Sequence, residues 1–295
     1  MRDLALADLL TAAGILLLFA ASAAYVANIF RSGRRLPKVA HLATLAALAL
    51  TAGGLIVRMM QDGAPPLSTG QQALTAVACS VLAAHLAQVV WKDIPSFGAA
   101  AAPLALLLLF MATALPGSAR TYSQELLASH WLTLHVGSIL VSMALLVLSA
   151  GCALLWLTQH SMLKAKKWAG AFRRLPPLEQ LASMAFLLAT LGFAALTLGV
   201  GTAVVWSLTH PGEGEIPGVL TRTAAALSWC LYAFYIWASG RPAWRGRRAQ
   251  YLLVFGCLAV LAATSVHRFF VLPHPPEPAS HGSSHALLKA GERAS

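Results

Sequence analysis

The chain is a succession of long apolar segments separated by short polar connections. A window of about 19 residues that carries no charge, or charge only at one edge, predicts a membrane-spanning helix. Eight such segments occur, at Leu4 to Phe30, Val39 to Met60, Gln71 to Trp91, Phe97 to Leu115, Trp131 to Gln159, Leu178 to Leu208, Thr223 to Ser239 and Tyr251 to Leu272. The pattern therefore predicts an all-α, polytopic membrane helical bundle of about eight transmembrane helices.

Composition agrees with this class of protein. Hydrophobic residues make up 58% of the chain and charged residues 11%, whereas about 25% of the residues of a soluble domain are charged. The net charge of +11 would suggest nucleic acid as a partner for a soluble protein. Here the basic residues lie in short connections, where they indicate topology and contact with anionic headgroups. The expected partner is a lipid bilayer and not nucleic acid.

The distribution of basic residues predicts the orientation of the bundle. The connections after the first, third, fifth and seventh spans hold 14 of the 21 lysine and arginine residues. The connections after the second, fourth and sixth spans hold few basic residues and most of the loop acids. By the positive-inside tendency, both termini are extracytoplasmic and the fifth span begins near the outer surface.

Two histidines stand in the first two turns of the fifth span. His130 and His135 are five residues apart, which separates their side chains by about 140° of arc on a helix. We therefore expect one of them to face the bundle and the other to face the headgroups. Imidazole is costly in lipid and is a common metal ligand, so this end of the span is the first candidate site.

The eighth span carries two more histidines near its end. His267 and His274 are seven residues apart, and two turns of helix would bring them to one face unless the flanking prolines end the helix before His274. Arg268, beside His267, is a candidate partner for an anionic carboxylate or phosphate. The remaining tail is rich in proline, serine and histidine and is predicted to be disordered.

The second and third spans also contain polar side chains. His41 begins the second span and is expected to be interfacial, with ligation as the alternative. His85 lies two-thirds of the way along the third span beside small residues. It is expected to make a helix contact, although an imidazole buried in a bilayer needs a partner. Together these histidines allow a proton- or metal-linked carrier, a class weakened by the lack of a deep acidic residue. Arg58, near the outer end of the second span, is expected to reach the headgroups.

Several motifs follow one another along the last two-thirds of the chain. An outer GAPPLST turn precedes SHWLTLHVGSIL, LPPLEQLASMAFLLATLGFAALTLGVGTAVVW, SWCLYAFYIWASG and WRGRRAQYLLVFGCLAVL. This order resembles the cytochrome c assembly membrane family, which includes the CcsA subunit of the system II cytochrome c synthase, HemX proteins and YpjD-type inner-membrane proteins. The most specific pieces are HV at His135, LTLG ending at Gly199 and WRGRR beginning at Trp244.

The resemblance covers about Gly63 to Pro275 and implies a division of the chain. Residues 1–62 form two N-terminal transmembrane helices, residues 63–275 form the CcsA-like membrane domain, and residues 276–295 form the disordered tail. It also implies a multi-pass protein of the cell inner (plasma) membrane.

What the resemblance implies chemically is the handling of haem. It predicts non-covalent haem b with His135 as one axial ligand of the iron and His274 as the other, or His267 if the helix register favours it. Trp206 and Arg268 complete the implied cofactor-binding residues, and no residue is assigned a catalytic role. A CcsB/ResB-like membrane subunit and apocytochrome c are the implied partners.

The sequence departs from the CcsA pattern at two places. CcsA-type members hold the porphyrin with a tryptophan-rich WWD loop, but here that loop reads WSLTHPGEGEIPG, with Trp206 at its start and no further tryptophan. The inward-facing histidine near the end of the seventh span aligns with Trp237. Both departures resemble HemX or YpjD-type members. Two functions therefore stay open. One is a haem-handling protein of cytochrome c biogenesis, at most the membrane subunit of a haem-attachment complex. The other is a non-catalytic accessory or regulatory protein that binds no haem.

Overall fold

Eight helices account for nearly all of the chain that the computed structural model describes. The described residues are 2–30, 36–62, 69–91, 97–114, 130–164, 176–209, 219–241, 244 and 246–270, with side chains for all except 2–5, 30, 62, 91, 219–221 and 262–270. The helices are α1 (Arg2–Phe30), α2 (Leu36–Asp62), α3 (Gly70–Trp91), α4 (Gly98–Ala114), α5 (His130–Lys164), α6 (Leu178–Thr209), α7 (Val219–Ser239) and α8 (Arg247–Phe270). Each coincides with one predicted span, and every bound agrees within five residues.

Most of these helices can cross a membrane by length and composition. Within the described ranges, α1, α2, α3, α5 and α6 are each long and apolar enough to do so, and α4 is a shorter apolar helix of 17 residues. No strand occurs among the described residues. The predicted all-α, polytopic membrane bundle is therefore confirmed, while its orientation in the bilayer stays a prediction.

The first two helices form a tight antiparallel hairpin. A Cβ atom added at Gly14 of α1 would lie 2.5 Å from Thr51 Cγ2 of α2, and one added at Gly54 of α2 would lie 2.7 Å from Thr11 Oγ1 of α1. Each threonine hydroxyl donates to a carbonyl of its own helix, at 2.8 Å. Small residues with satisfied hydroxyls thus allow the two backbones to approach closely without help from water.

Arg58 ties three helices together at one end of the bundle. The prediction that it reaches the headgroups is wrong, because its side chain is 19% exposed and both terminal nitrogens have protein partners. Its Nη2 pairs with the carboxylate of Asp8 on α1, and its Nη1 donates to Gln71 Oε1 on α3 at 3.0 Å. The Arg58 guanidinium is therefore hydrogen-bonded by protein side chains, whereas the sequence pattern had suggested lipid headgroups as its partners.

We expect Arg58→Gln to destabilise the bundle only modestly. The Asp8 side chain is 65% exposed, and exposed ion pairs contribute at most about 1 kcal/mol. A double-mutant cycle with Asp8→Asn, followed by denaturant unfolding in detergent at low and high salt, measures the coupling. A coupling energy that does not fall with added salt would contradict an exposed ion pair.

The fourth helix lies at the centre of the N-terminal half, where it packs against α1, α3 and α5. Its alanine-rich first half is buried. A Cβ atom at Gly151 of α5 would lie 2.9 Å from Leu104 Cδ1 and 3.3 Å from Ala100 Cβ, so the second half of α5 lies beside the first half of α4. We name the two ends of the bundle after the predicted orientation: the outer end holds Asp8, Arg58 and His135, and the inner end holds Tyr25, His85 and Gly98.

The last helix, α8, connects α5 with α7 in the C-terminal half. α8 packs against α5 and α7, and α7 packs against α6. The Trp229 indole of α7 donates to Thr197 Oγ1 of α6 at 3.0 Å. Gly256 of α8 lets that helix approach Leu231 and Tyr232 of α7, since an added Cβ atom would lie 2.6 Å from Leu231 Cδ2. α8 consequently runs beside α5 towards the outer end.

Candidate functional site

The outer-end site is built on a regular seam between α5 and α6. At three positions of α5 that are seven residues apart, a polar side chain bonds to a carbonyl of α6. The bonds are Ser149 Oγ to Ala185 O at 2.8 Å, Ser142 Oγ to Gly192 O at 2.9 Å, and His135 Nδ1 to Gly199 O at 2.8 Å. A seven-residue repeat keeps one seam facing the partner helix along its whole length. We call these three bonds the seam ladder.

The glycines of α6 are what bring its carbonyls within reach of α5. A Cβ atom at Gly192 would lie 2.8 Å from Leu146 Cδ2, and one at Gly199 would lie 2.6 Å from Ile139 Cδ1. Both separations are shorter than van der Waals contact, so a larger residue at either position would push the helices apart. The glycine positions therefore set the spacing at which the seam ladder forms.

The seam ladder fixes the tautomer of His135. Gly199 O is a carbonyl oxygen and can only accept, so the 2.8 Å bond requires a hydrogen on His135 Nδ1. The Thr202 hydroxyl donates to the same carbonyl at 2.8 Å. A neutral imidazole with its hydrogen on Nδ1 has an unprotonated Nε2. Within the described residues no hydrogen bond occupies that atom. A histidine ligand is typically oriented in this way, by a backbone carbonyl on its other nitrogen.

An open groove of about 520 Å³ runs beside this histidine between α5 and α6. Its volume falls within the range of small-molecule and cofactor sites. Gly137 opens its wall, since nothing lies within 4 Å of an added Cβ atom there. The lining residues are His130, Thr133, Leu134, Gly137, Ser138, Val141, Ala195 and Leu198. The groove is apolar apart from its outer end and is thus suited to a flat hydrophobic group.

The two histidines of α5 take different positions. His135 is half-buried against α6, whereas His130 is exposed and lines the groove. The expectation that one of them faces the bundle is therefore confirmed. His135 does not itself line the groove, but its neighbours Leu134 and Gly137 do.

The other predicted site residues are not all brought into view. Trp206 is half-buried on α6, one turn beyond Thr202. The side chains of His267 and Arg268 lie outside the described ones, and His274 lies outside the described residues altogether. The distance from His135 to the proposed second ligand thus stays untested.

A second group of polar side chains lies at the inner end. His85 and Tyr25 are almost completely buried, and His85 Nε2 is 3.1 Å from the Tyr25 hydroxyl. The ring of His41 lies 5.6 Å from that of Tyr25 and 6.2 Å from that of His85, measured between centroids. The prediction that His41 stands alone at the interface is wrong, since its Nε2 is buried. His85 does make the expected helix contact.

Sequence reasoning missed the residues that organise both ends. At the outer end, the signal that could have found the pairing is the seven-residue spacing of Gly192 and Gly199 on the sixth span, which matches the spacing of His135, Ser142 and Ser149 on the fifth. Tyr25 gave no signal, because a lone tyrosine in an apolar span is most simply explained as a packing residue.

Comparisons with known proteins agree with the motifs. The family model for the cytochrome C assembly protein matches residues 68–272. A cytochrome c biogenesis protein CcsA of Prochlorococcus marinus (strain MIT 9303) is 30% identical over 251 residues, covering 76% of this chain and 78% of its own. The CcsA protein of Parasynechococcus marenigrum (strain WH8102) is 30% identical over 285 residues, covering 86% of this chain and 91% of its own.

A shorter match connects the chain with another protein. The protein HemX of Brevibacillus brevis is 32% identical over 105 residues, covering 36% of this chain and 39% of its own. The CcsA matches extend over most of both chains, and the family model spans more than half of this one. The chain therefore belongs to the cytochrome c assembly protein family.

Proposed function

We propose that the protein binds haem b non-covalently at its outer end and handles it during cytochrome c biogenesis. The carrying observation is the bond from His135 Nδ1 to Gly199 O at 2.8 Å. In the neutral imidazole, a hydrogen on Nδ1 places the lone pair on Nε2, and the bond holds the ring on a helix seam instead of a loop. An axial ligand needs both properties, an available lone pair and a fixed direction.

The residues around His135 fit a porphyrin. The neighbouring groove of about 520 Å³ is lined by small and apolar side chains, as the hydrophobic ring requires. Trp206, one turn beyond Thr202 on α6, would cover part of the ring. Bound haem would supply an iron centre whose redox state depends on its axial ligands; the protein's own part is to bind and orient it.

The second axial ligand would come from the end of α8. This helix packs against α5 and runs towards the outer end, which supports His274 or His267 as the partner of His135. Arg268 would pair with a propionate carboxylate of the haem, since guanidinium groups bind carboxylates in a bidentate geometry.

The proposed cellular setting follows from the CcsA relatives. We place the protein in the cell inner (plasma) membrane, with a CcsB/ResB-like membrane subunit and apocytochrome c as partners. The loop that begins at Trp206 holds no second tryptophan, and no catalytic residue is assigned here. Covalent attachment of haem would therefore require the second subunit.

Absorption spectroscopy tests the proposal. Full-length protein produced in haem-replete cells and purified in detergent should carry about one haem per chain, by analogy with single-site haem proteins. The expected result is a Soret band that is extracted as haem b by acidified acetone. A folded but colourless preparation would overturn the proposal.

A second function is supported by the seventh helix. By the resemblance, Trp237 aligns with the inward-facing histidine of CcsA-type members, and the Arg241 guanidinium lies 3.3 Å from the centre of its ring. The Trp237 ring therefore makes a cation–π contact with Arg241. Together with the HemX match, it favours a non-catalytic HemX/YpjD-type accessory or regulatory role without haem. Deleting the gene would then alter cellular haem levels, and protein purified from a strain that produces it would carry no haem.

A further inference from the structure

The end of α7 and the start of α8 bring aromatic and basic side chains together at the inner end. The Phe234 ring lies 5.6 Å from the Trp237 ring and 5.1 Å from the Trp244 ring, measured between centroids. The Trp244 backbone N–H donates to Arg241 O at 3.1 Å, which folds the chain back towards α7 after its last turn. We call Phe234, Trp237, Arg241, Trp244 and Arg247 the α7–α8 corner.

Aromatic rings hold both arginines of the α7–α8 corner. The Arg241 guanidinium carbon lies 3.3 Å from the centre of the Trp237 ring. The Arg247 guanidinium lies 5.8 Å from the centre of the Tyr251 ring, and its Nη2 donates to the Tyr251 hydroxyl at 3.2 Å. Cation–π contacts of this kind position a guanidinium. An aromatic ring does not satisfy the N–H donors of Arg241, so these donors need an acceptor from elsewhere.

The α7–α8 corner carries positive charge without a nearby acid in the sequence. The chain has no aspartate or glutamate between Glu215 and Glu277, whereas four arginines occur within positions 241–248. Within the described residues, neither Arg241 nor Arg247 forms an ion pair. An unpaired cluster of one sign attracts ligands of the opposite sign. The expected ligand is therefore an anion.

The exposed rings of the α7–α8 corner indicate where this anion comes from. Trp237 is 53% exposed and Phe234 is 39% exposed, and both lie in the last two turns of α7. An exposed tryptophan near the end of a membrane span typically lies at the level of the lipid headgroups. Because the Arg241 guanidinium lies against this tryptophan, the anion at that level is the phosphate of a phospholipid.

The charges of the α7–α8 corner favour a phospholipid with net negative charge. Guanidinium groups bind phosphate oxygens in a bidentate geometry. A zwitterionic headgroup carries a cation beside its phosphate, which the surrounding arginines would repel. Phosphatidylglycerol carries no such cation, and basic clusters at the end of a span attract anionic headgroups of this kind.

We propose that the α7–α8 corner is a binding site for one anionic phospholipid, separate from the haem site. Arg241 binds the phosphate, and an acyl chain lies along Trp237 and Phe234. Water could solvate the guanidinium, but it would leave the two exposed rings uncovered, whereas an acyl chain covers them. Arg248 is also exposed, but no described aromatic ring holds it, so it adds charge without a positioned donor.

Lipid titration tests the proposal. Full-length protein is purified in detergent, stripped of lipid and titrated with phosphatidylglycerol in mixed micelles, and native mass spectrometry counts the retained lipid. The parent should retain about one phosphatidylglycerol per chain and bind it at least about tenfold more tightly than phosphatidylcholine. Arg241→Gln should weaken this binding by about tenfold, because it removes a charged hydrogen-bond donor. Glycerol phosphate, a soluble source of the same phosphate, should not compete.

Matched variants separate a positioned donor from general attraction between charges. Arg241→Lys keeps the charge but loses the planar donor group, and should weaken binding by about fivefold. Arg248→Gln should weaken it by less than about threefold at about 0.15 M salt, where charges more than about 8 Å away are screened. Arg241 is exposed, so the lipid-free melting temperatures of its variants should match that of the parent.

Four results would each overturn the proposal. They are equal binding of phosphatidylcholine by the parent, displacement of the lipid by glycerol phosphate, unchanged binding in Arg241→Lys, and equal losses in Arg241→Gln and Arg248→Gln. The last result would show diffuse attraction by the whole basic segment. None of these measurements depends on haem, so the Soret band of the same preparation tests the proposed function independently.

Discussion

His135→Ser should abolish the Soret band of the purified protein while leaving the bundle folded. Serine is the residue that occupies the two equivalent positions one and two repeats further along α5, where it bonds to Gly192 O and Ala185 O. A serine at position 135 can therefore keep the bond to Gly199 O and lose only the iron ligand. Absorption spectra and haem extraction of matched preparations measure the loss, which we expect to exceed about 90% if His135 is an axial ligand.

Two controls make this substitution specific. Ser142→Ala removes one bond of the seam ladder without touching an imidazole, so haem content should stay near that of the wild type. His135→Gly leaves a space at the ligand position, and added imidazole should restore part of the Soret band. A His135→Ser protein that retains full haem would show that another side chain holds the iron.

Gly192→Leu should destabilise the bundle much more than a leucine at an exposed glycine of the same helix. Its Cβ atom would lie 2.8 Å from Leu146 Cδ2, 3.0 Å from Leu146 Cγ and 3.3 Å from Leu145 Cβ, and the rest of the leucine side chain has no room between the helices. Overpacking of this kind costs about 1–3 kcal/mol. Forcing α5 and α6 apart would also lengthen the bond from Ser142 to Gly192 O, which adds to the loss.

Gly201 of the same helix provides the matched control. Nothing lies within 4 Å of a Cβ atom added there, so Gly201→Leu should change the free energy of unfolding by less than about 0.5 kcal/mol. Unfolding of both variants by a denaturing detergent in mixed micelles gives the comparison. Equal stability of the two leucine variants would contradict tight packing along the seam.

The helices could be predicted from the sequence because the bilayer leaves few alternatives. Every backbone polar group inside lipid must be bonded within the chain, so an apolar segment of the right length becomes a helix almost regardless of its detail. The bounds of α1 to α8 accordingly follow the apolar windows. Pairing was harder to predict. The expectation for Arg58 failed because its partner, Asp8, is 50 residues away, and one sequence does not show which helices are neighbours.

The sequence singles out His135, but it does not show the hydrogen bonds that this histidine makes. His135 stands out because an imidazole in an apolar span is costly and therefore informative. Its tautomer depends on Gly199 O, 64 residues further along the chain, and only the packed seam reveals that contact. The contacts at the inner end were hidden for the same reason: His41 and His85 were judged mainly as separate histidines, and nothing in the sequence placed Tyr25 beside both of them.

The regular seam also determines how deep an imidazole can stand in the bilayer. Each repeat advances along α5 by seven residues, or about 10 Å. The intermediate residues Ile139 and Leu146 pack against glycines of α6 but have no polar side chain to bond to its carbonyls. A side chain of α5 can therefore bond to an α6 carbonyl only at positions about 10 Å apart along the helix. An imidazole could keep a bond to an α6 carbonyl further along this helix only at position 142 or 149, one or two repeats from His135.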